Sequence, residues 1–367
     1  MCRLVKRLYG LKQSPRCWNK KFKEFLLKFG LKESSADPCL FHSGNNEKLL
    51  LALYVDDGLV AATPELKMRF LRELKEDFQV THENADYFLS LQIKRMEDGD
   101  LFINQESYAN KVLAKFNMIE GNAVSTPIEA CQVSGEDLST KVDDTVPYRE
   151  AVGSLMYLAV ATRPDISFAV GYVSQFLDKA EQKHWLIVKR ILRYIRGTAS
   201  FGICFRHNSK SGILEAYCDV DYASDTSTRR SLSGGAFKYS DGAIVWISRR
   251  QKSVSLSTTE AEYMAASEAA KEVVWLHRLF SEIAPLSETP TLQIDNASAI
   301  KLAKNPEFHQ RTKHIDVRCH FVRELYLKGA LEIKHVAGDH QIADILTKAL
   351  PKRRFQYLRE ELGMIKG

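Results

Sequence analysis

The sequence predicts a mixed α/β (α+β) protein of two or three domains, and three observations carry that prediction. Its 367 residues are 45% hydrophobic and 27% charged, enough chain and apolar surface for more than one packed core. Two Asp-Gly pairs, Asp57-Gly58 and Asp98-Gly99, stand between β-branched and aromatic runs, the pattern of hairpins. After Gly212 three short strand patterns follow one another, and then helix and strand alternate, the order of one mixed α/β domain of about 140 residues.

Taken in order, Ser14-Pro15 opens a helix with a hydroxyl cap and a proline in the first turn. Trp18, Phe22, Phe25, Leu26 and Phe29 make its apolar stripe, Lys20, Lys21, Lys23 and Lys28 its polar face, and Gly30 its end. Leu49 to Val60 reads as a hairpin turning at Asp56-Asp57-Gly58. A second pairing joins Tyr87 to Arg95 with Leu101 to Asn104, and a helix from Glu106 to Asn117 follows. Cys131 to Pro147 is polar and reads as a loop or linker. Tyr148 to Gly197 reads as helices, with Val152, Leu155, Met156 and Ala159 on one face. The C-terminal pattern predicts strands at 214–218, 235–239 and 243–248, a helix over 258–283, a strand at 292–294 and helices at 297–304 and 317–328. A strand at 331–336 and a helix at 341–349 complete it.

Composition excludes several classes. The longest apolar run, Leu49 to Val55, is far below the ~20 residues a membrane span needs. The first residues carry charge but no apolar h-region of a secretory signal. Seven dispersed cysteines without a Cys-x-x-Cys pair suit a reducing compartment, so an intracellular protein without membrane contact is expected. Through Asp37 there are ten Lys/Arg against three Asp/Glu, on a body that is otherwise near neutral. Such a block suits contact with a polyanion such as nucleic acid, or equally a solvated helix face.

Four carboxylates stand where local structure explains them poorly. Asp219 ends the strand Ile213 to Cys218, with Asp221 a competitor on the same strand face. Ser257 and Glu260 fit a capping box, which leaves Glu262 without a structural role on the core-facing stripe of Ala265, Ala266, Ala269, Val273 and Leu276. A carboxylate there is costly unless it meets a cation. Asp295 lies between a strand and a helix that Asn296 can cap. Asp344 lies early in the last helix, where favourable charge near a helix N-terminus is a strong alternative, and it counts only together with the other three. Carboxylates converging without histidines suggest Mg2+ or Mn2+, two of which about 4 Å apart can activate water against a phosphodiester. Asp56 and Asp57 are a second candidate, with plain turn chemistry as the alternative. His309, His314, Cys319 and His320 match no standard zinc finger spacing.

The motifs YGLKQSPRCW, YVDD, TPIEA, YREAVGSLMYLAVATRPDISFAV, CDVDYASD, STTEAEY, QIDNASAI, TKHIDVRCHFVRE and ADILTKAL together resemble the C-terminal part of a copia-type LTR retrotransposon Pol polyprotein. The resemblance covers essentially the whole chain. It implies the late part of a reverse transcriptase over residues 1–120, a thumb or connection region over 121–211, and an RNase H-like domain over 212–367 with a five-stranded mixed sheet and flanking helices. By the same resemblance Asp56 and Asp57 match the polymerase metal pair and Gln13 the template and nucleotide contact. Phe88-Leu89-Ser90 resembles the primer-grip turn, with Ser90 where the family usually has glycine. Asp219, Glu262, Asp295 and Asp344 match the ligands of two Mg2+ or Mn2+ ions, and His335 resembles a histidine that assists product release. Arg229, Arg230, Arg249 and Arg250 flank that site as phosphate contacts, or as ordinary hairpin charge.

What the resemblance implies is cleavage of the RNA strand of RNA–DNA hybrids, with template and primer nucleic acid as partners and the cytoplasm, in virus-like particles, or the nucleus as location. The family's third polymerase carboxylate lies on a strand ahead of YGLKQ, and none fits ahead of Tyr9, so a truncated palm is expected. Two alternatives stand beside the nuclease: a catalytically idle nucleic-acid-binding remnant, and a full polymerase shortened by gene calling.

Overall fold

The computed structural model describes residues 10–44, 48–134, 140–143, 145–209, 212–304 and 316–367. They divide into two compact units. One comprises the chain through Ala85 together with Val274–Pro285, and the other comprises Asp86–Val273 with Leu286–Gly367.

In the first unit, α1 (Ser14–Phe29) buries Phe22, Phe25 and Leu26. Its cap position falls on Gln13 rather than Ser14, and Gly30 at φ +101° closes it in the left-handed conformation that glycine adopts without strain. Trp18 stacks on Phe22 with ring centroids 5.0 Å apart. Strands β1 (Lys32–Glu33), β2 (Leu40–His42), β3 (Leu49–Tyr54) and β4 (Asp57–Ala62) form an antiparallel sheet in that order. Helix α2 (Pro64–Asp77) adds Leu66, Phe70 and Leu74 to the core.

The β3–β4 turn differs from the expected one. Tyr54 pairs with Asp57, so Val55 and Asp56 make the turn, and Asp57-Gly58 begin β4. Burial of Leu49, Leu51 and Leu53 on one face of β3 fixes that register, since a one-residue slip would turn all three to the other face.

The second unit begins with β5 (Tyr87–Phe88), β6 (Leu91–Arg95) and β7 (Leu101–Asn104), followed by α3 (Glu106–Lys115) and the short α4 (Ala130–Ser134). Helices α5 (Tyr148–Ala161), α6 (Ser167–Ser174) and α7 (Gln182–Gly197) supply much of its core through Val152, Leu155, Val188, Ile191 and Leu192. Arg163, between α5 and α6, is fully buried and bridges Asp165 at 2.8 Å, while the Tyr194 hydroxyl donates to the same carboxylate at 2.6 Å. Strand β8 (Phe201–Phe205) pairs with β7, an element absent from the sequence expectation.

The mixed sheet follows. Its strands are β9 (Glu215–Asp221), β10 (Leu232–Tyr239), β11 (Gly242–Arg250), β12 (Thr291–Ile294) and β13 (Glu332–His335), in spatial order β11-β10-β9-β12-β13. β9 is central: β10 alone runs antiparallel to it, while β11, antiparallel to β10, runs in the same direction as β9, β12 and β13. This is the RNase H-like mixed sheet that the motif order implied. Its helices are α8 (Thr258–Ile283), α9 (Ala297–Lys304), α10 (Asp316–Leu327) and α11 (Lys352–Glu361), and β14 (Met364–Lys366) returns to pair with β8. The helix expected at 341–349 is a 3-10 segment, Ile342–Leu346, after a second 3-10 turn at Gly338–His340. Among the described residues no helix is long and apolar enough to cross a membrane.

Candidate metal centre

Three elements of the mixed sheet converge on one point. Asp219 lies on central β9, two residues before the strand ends at Asp221, so the strand runs past it rather than stopping there. Glu262 comes from the first turns of α8, and Asp295 follows β12. One carboxylate oxygen from each lies within 4.8 Å of the others. The approach of α8 is permitted by small side chains: Ala261 and Ala265 pack against Val220. Asn296 caps α9 by accepting from the amides of Ser298 and Ala299, each at 3.0 Å, which leaves Asp295 free of that task.

Burial makes the cluster electrostatically unfavourable by itself. Asp219 is 1% exposed and Glu262 7% exposed, and the Glu262 Oε2 atom has no hydrogen-bond partner. Burial first, then repulsion from Asp219 and Asp295, pushes the Glu262 carboxyl up to about 9. Burial also raises Asp219 to about 6, against the opposing pull of Lys348, and moves Asp295 upward for the same reasons. An all-oxygen set of three carboxylates with one orphaned buried oxygen suits a hard divalent cation such as Mg2+ or Mn2+.

Asp344 is placed differently from the other three. Its Oδ1 accepts from Lys348 Nζ at 2.9 Å and its Oδ2 from Arg354 Nη2 at 2.6 Å, and it stands outside the three-carboxylate group. Asp219 is oriented by the Thr347 hydroxyl, which donates to Oδ2 at 2.5 Å, and Lys348 Nζ lies 3.1 Å from the same oxygen. Sequence reasoning missed Thr347, Lys348 and Arg354. The spacing of the first two from Asp344, three and four residues on, places them on its face of a helical turn, a signal available in ADILTKAL. Gly234, paired with Asp219, was missed as well: a Cβ there would lie 2.6 Å from Thr347 Cγ2 and 2.9 Å from the Ala343 carbonyl. Only glycine lets the 3-10 segment close on the sheet at that height. The Gln341 side chain fastens the same segment by donating to the Cys218 carbonyl at 2.9 Å.

The remaining sequence candidates fall as follows. Asp221 is half-buried and stands outside the group of three. His335 ends β13, and its Nε2 lies 3.1 Å from the Asp295 carbonyl oxygen, so that nitrogen carries the proton. Arg229, Arg230 and Arg249 lie on or beside the β9–β10 and β10–β11 segments, with Arg229 and Arg249 exposed. Arg250 is committed to Asp225 by an ion pair and to Gln175 at 3.4 Å. In the first unit Gln13 is exposed, and Asp56 and Asp57 are exposed at the hairpin rather than pressed against a buried edge. Val55 beside them has φ +55°, a conformation that strains a β-branched residue. Among the described residues no third His, Cys, Asp or Glu joins that pair. In the primer-grip-like turn, Leu89 and Ser90 both have positive φ, near 49° and 60°, and the Tyr157 hydroxyl donates to the Leu89 carbonyl at 2.5 Å. His309, His314 and the side chains of Cys319 and His320 lie outside the described residues.

Residues 1–130 match the model of a family described as reverse transcriptase (RNA-dependent DNA polymerase). Over 99% of its length the chain is 40% identical to a retrovirus-related Pol polyprotein from transposon TNT 1-94 of Nicotiana tabacum, and it spans 28% of that polyprotein. A putative transposon Ty5-1 protein of Saccharomyces cerevisiae is 31% identical over 72% of this chain and 87% of its own length. Among solved structures, a foamy viral protease–reverse transcriptase in complex with double-stranded DNA aligns with 88% of this chain and 49% of its own, at 9% identity and a TM-score of 0.46.

Proposed function

Because the chain belongs to the family of copia-type LTR retrotransposon Pol polyproteins, we propose that its mixed sheet carries an RNase H-type endonuclease that hydrolyses the RNA strand of RNA–DNA hybrids. The observation that carries this reading is that carboxylate oxygens of Asp219, Glu262 and Asp295 lie within 4.8 Å of one another while the buried Glu262 Oε2 has no hydrogen-bond partner. These three residues would hold a divalent cation, Mg2+ or Mn2+. Such an ion, when bound, lowers the pKa of water and offsets charge on the phosphate oxygens.

The chain's own residues do the rest. Thr347 fixes the Asp219 rotamer, and Lys348 with Arg354 fixes Asp344. His335 is anchored through Nε2–H on the carbonyl of Asp295, next to the site. Arg229, Arg230 and Arg249 supply cationic contact to hybrid phosphates, while shape and 2′-hydroxyls distinguish the RNA strand. Asp56 and Asp57 are assigned as polymerase-type metal ligands and Gln13 as a template contact, with template and primer strands as their partners. A cytoplasmic or nuclear place of action is part of the same proposal.

The test is cleavage of an end-labelled RNA–DNA hybrid by the full chain with Mg2+. The expected result is internal RNA cleavage that EDTA stops and that Asp219→Asn, Glu262→Gln and Asp295→Asn each reduce at least a hundredfold. An intact hybrid, or cleavage that survives Glu262→Gln, overturns the reading.

A further inference from the structure

Lys348 touches two of the four expected carboxylates at once: its Nζ lies 2.9 Å from Asp344 Oδ1 and 3.1 Å from Asp219 Oδ2. The ammonium therefore sits where a cation shared by Asp219 and Asp344 would sit. The backbone that carries it is fixed: Gln341 is bonded to the Cys218 carbonyl, Thr347 to Asp219, and the Lys348 amide to the Asp344 carbonyl at 3.0 Å. The other Asp344 oxygen is taken by Arg354, whose guanidinium also donates to the Gly338 carbonyl at 2.5 Å.

We propose that the Lys348 ammonium permanently occupies the second cation position, so that this site takes one divalent ion, on Asp219, Glu262 and Asp295. The inference rests on the metal-site reading above and corrects its expected stoichiometry of two ions. Charge supports it. Four carboxylates are balanced by Lys348, Arg354 and one divalent ion, whereas a second divalent ion would leave two surplus positive charges in a buried site. Lysine is suited to the position because its ammonium is a compact point charge that can stand in for a small ion. Lys348 is in these terms a positioning residue: its Nζ, 3.1 Å from Asp219 Oδ2 and 3.4 Å from Asp219 Oδ1, offsets the repulsion between Asp219 and Asp344.

Mn2+ electron paramagnetic resonance on the full chain tests this, because two Mn2+ ions about 4 Å apart are spin-coupled and a single ion is not. The wild-type protein is expected to give an uncoupled spectrum from this site, reduced by one ion in Glu262→Gln. Lys348→Met, whose folding is checked by its melting transition, is expected to give a coupled pair, and Lys348→Arg to restore the uncoupled spectrum. A coupled pair in the wild type overturns the inference, as does a Lys348→Met spectrum identical to wild type. Hybrid cleavage measured on the same samples separates the two readings. A coupled wild type that cleaves removes only the role of Lys348. The expected spectra without cleavage remove only the nuclease. A bound-ion count that Glu262→Gln leaves unchanged removes the metal site itself.

Discussion

Glu260 and Glu262 stand two residues apart on α8, both buried, and only the first is used by the fold. Glu260 Oε2 accepts from the Leu256 amide at 2.7 Å while its own amide donates to Ser257 Oγ at 3.2 Å, a capping arrangement displaced by one residue from the expected bond to the Ser257 amide. Glu262 instead leaves Oε2 buried without a hydrogen-bond partner and joins Asp219 and Asp295 in the carboxylate group.

The first prediction sets these two against each other. Glu260→Ala is expected to destabilise the protein by about 1 kcal/mol with or without Mg2+, the usual value of a cap. Between about pH 5 and 9, Glu262→Gln is expected to raise the melting temperature of the metal-free protein, because the glutamine is neutral without taking up the proton that burial in a repulsive cluster forces on Glu262. Thermal melts in EDTA decide it. Shifts of the same sign in both variants would show that Glu262 has a structural partner.

The second prediction concerns pH. The folded protein holds the Glu262 proton up to about 9, whereas an unfolded chain releases it near 4.5. Between those values the folded state binds more protons, so metal-free stability falls as pH rises through that window. Glu262→Gln removes this contribution. The two melting profiles are therefore expected to meet near pH 4.5 and to separate toward about pH 9, with the variant the more stable. Parallel profiles would sink the assignment.

Much of this candidate site is legible in the sequence. The capping pattern at Ser257–Glu260, the alanine stripe behind Glu262 and Asn296 as an alternative cap for α9 are local signals, and each isolates a carboxylate without a local task. What escaped depends on long-range packing. Thr347 and Lys348 acquire meaning only when the 3-10 segment lies against Gly234, and that approach is set by a glycine 113 residues away in sequence. Strands β8 and β14 escaped for a related reason. Each is short and is completed only by its distant partner, Ile203 pairing with both Ile103 and Met364. The β3–β4 turn was misplaced because Asp-Gly chemistry favoured one register and the alternating leucines of β3 enforced another.

A third prediction follows from metal linkage. A cation that binds only the folded form stabilises it by RT ln(1 + [L]/Kd), about 2.7 kcal/mol at a hundredfold excess over Kd. Mg2+ is expected to raise the melting temperature of the wild type and to raise that of Asp295→Asn far less. Because the raised carboxyls must deprotonate to bind metal, Mg2+ binding near pH 6 is expected to release protons, which calorimetry in buffers of different ionisation enthalpy detects. Equal Mg2+ gains in the two proteins would mean that Asp295 is not a ligand.

The fourth prediction is structural. Arg163 is 1% exposed and spends its guanidinium on Asp165, the Thr198 carbonyl at 2.9 Å and the Thr198 hydroxyl at 2.7 Å. Asp165→Asn leaves that cation buried without its counter-charge and removes the charged acceptor of the Tyr194 hydroxyl. The expected loss is about 3–5 kcal/mol, read from urea unfolding, because breaking one side of a buried pair strands the other. A loss below about 1 kcal/mol would show that water reaches Arg163.

The last prediction separates two adjacent arginines that the sequence treats alike. Arg249 and Arg250 are neighbours at the end of β11, pairing with Ser233 and Leu232, so their side chains leave opposite faces of the sheet. Arg250 is held by Asp225, whose carboxylate also accepts from the Ser227 and Thr228 hydroxyls at 2.7 Å each, so its charge organises the β9–β10 loop. Arg249 is exposed and available to a phosphate. Each phosphate contact releases counterions and contributes about 0.9 to the slope of log K against log salt for a duplex. Arg249→Ala is therefore expected to lower that slope by about 1 in hybrid binding and to leave the melting temperature unchanged. Arg250→Ala is expected to lower the melting temperature and to keep the slope. Fluorescence anisotropy with a labelled hybrid in the presence of Ca2+, across a salt series, measures both variants. If Arg250→Ala loses the slope and Arg249→Ala does not, the nucleic acid lies against the other face of β11.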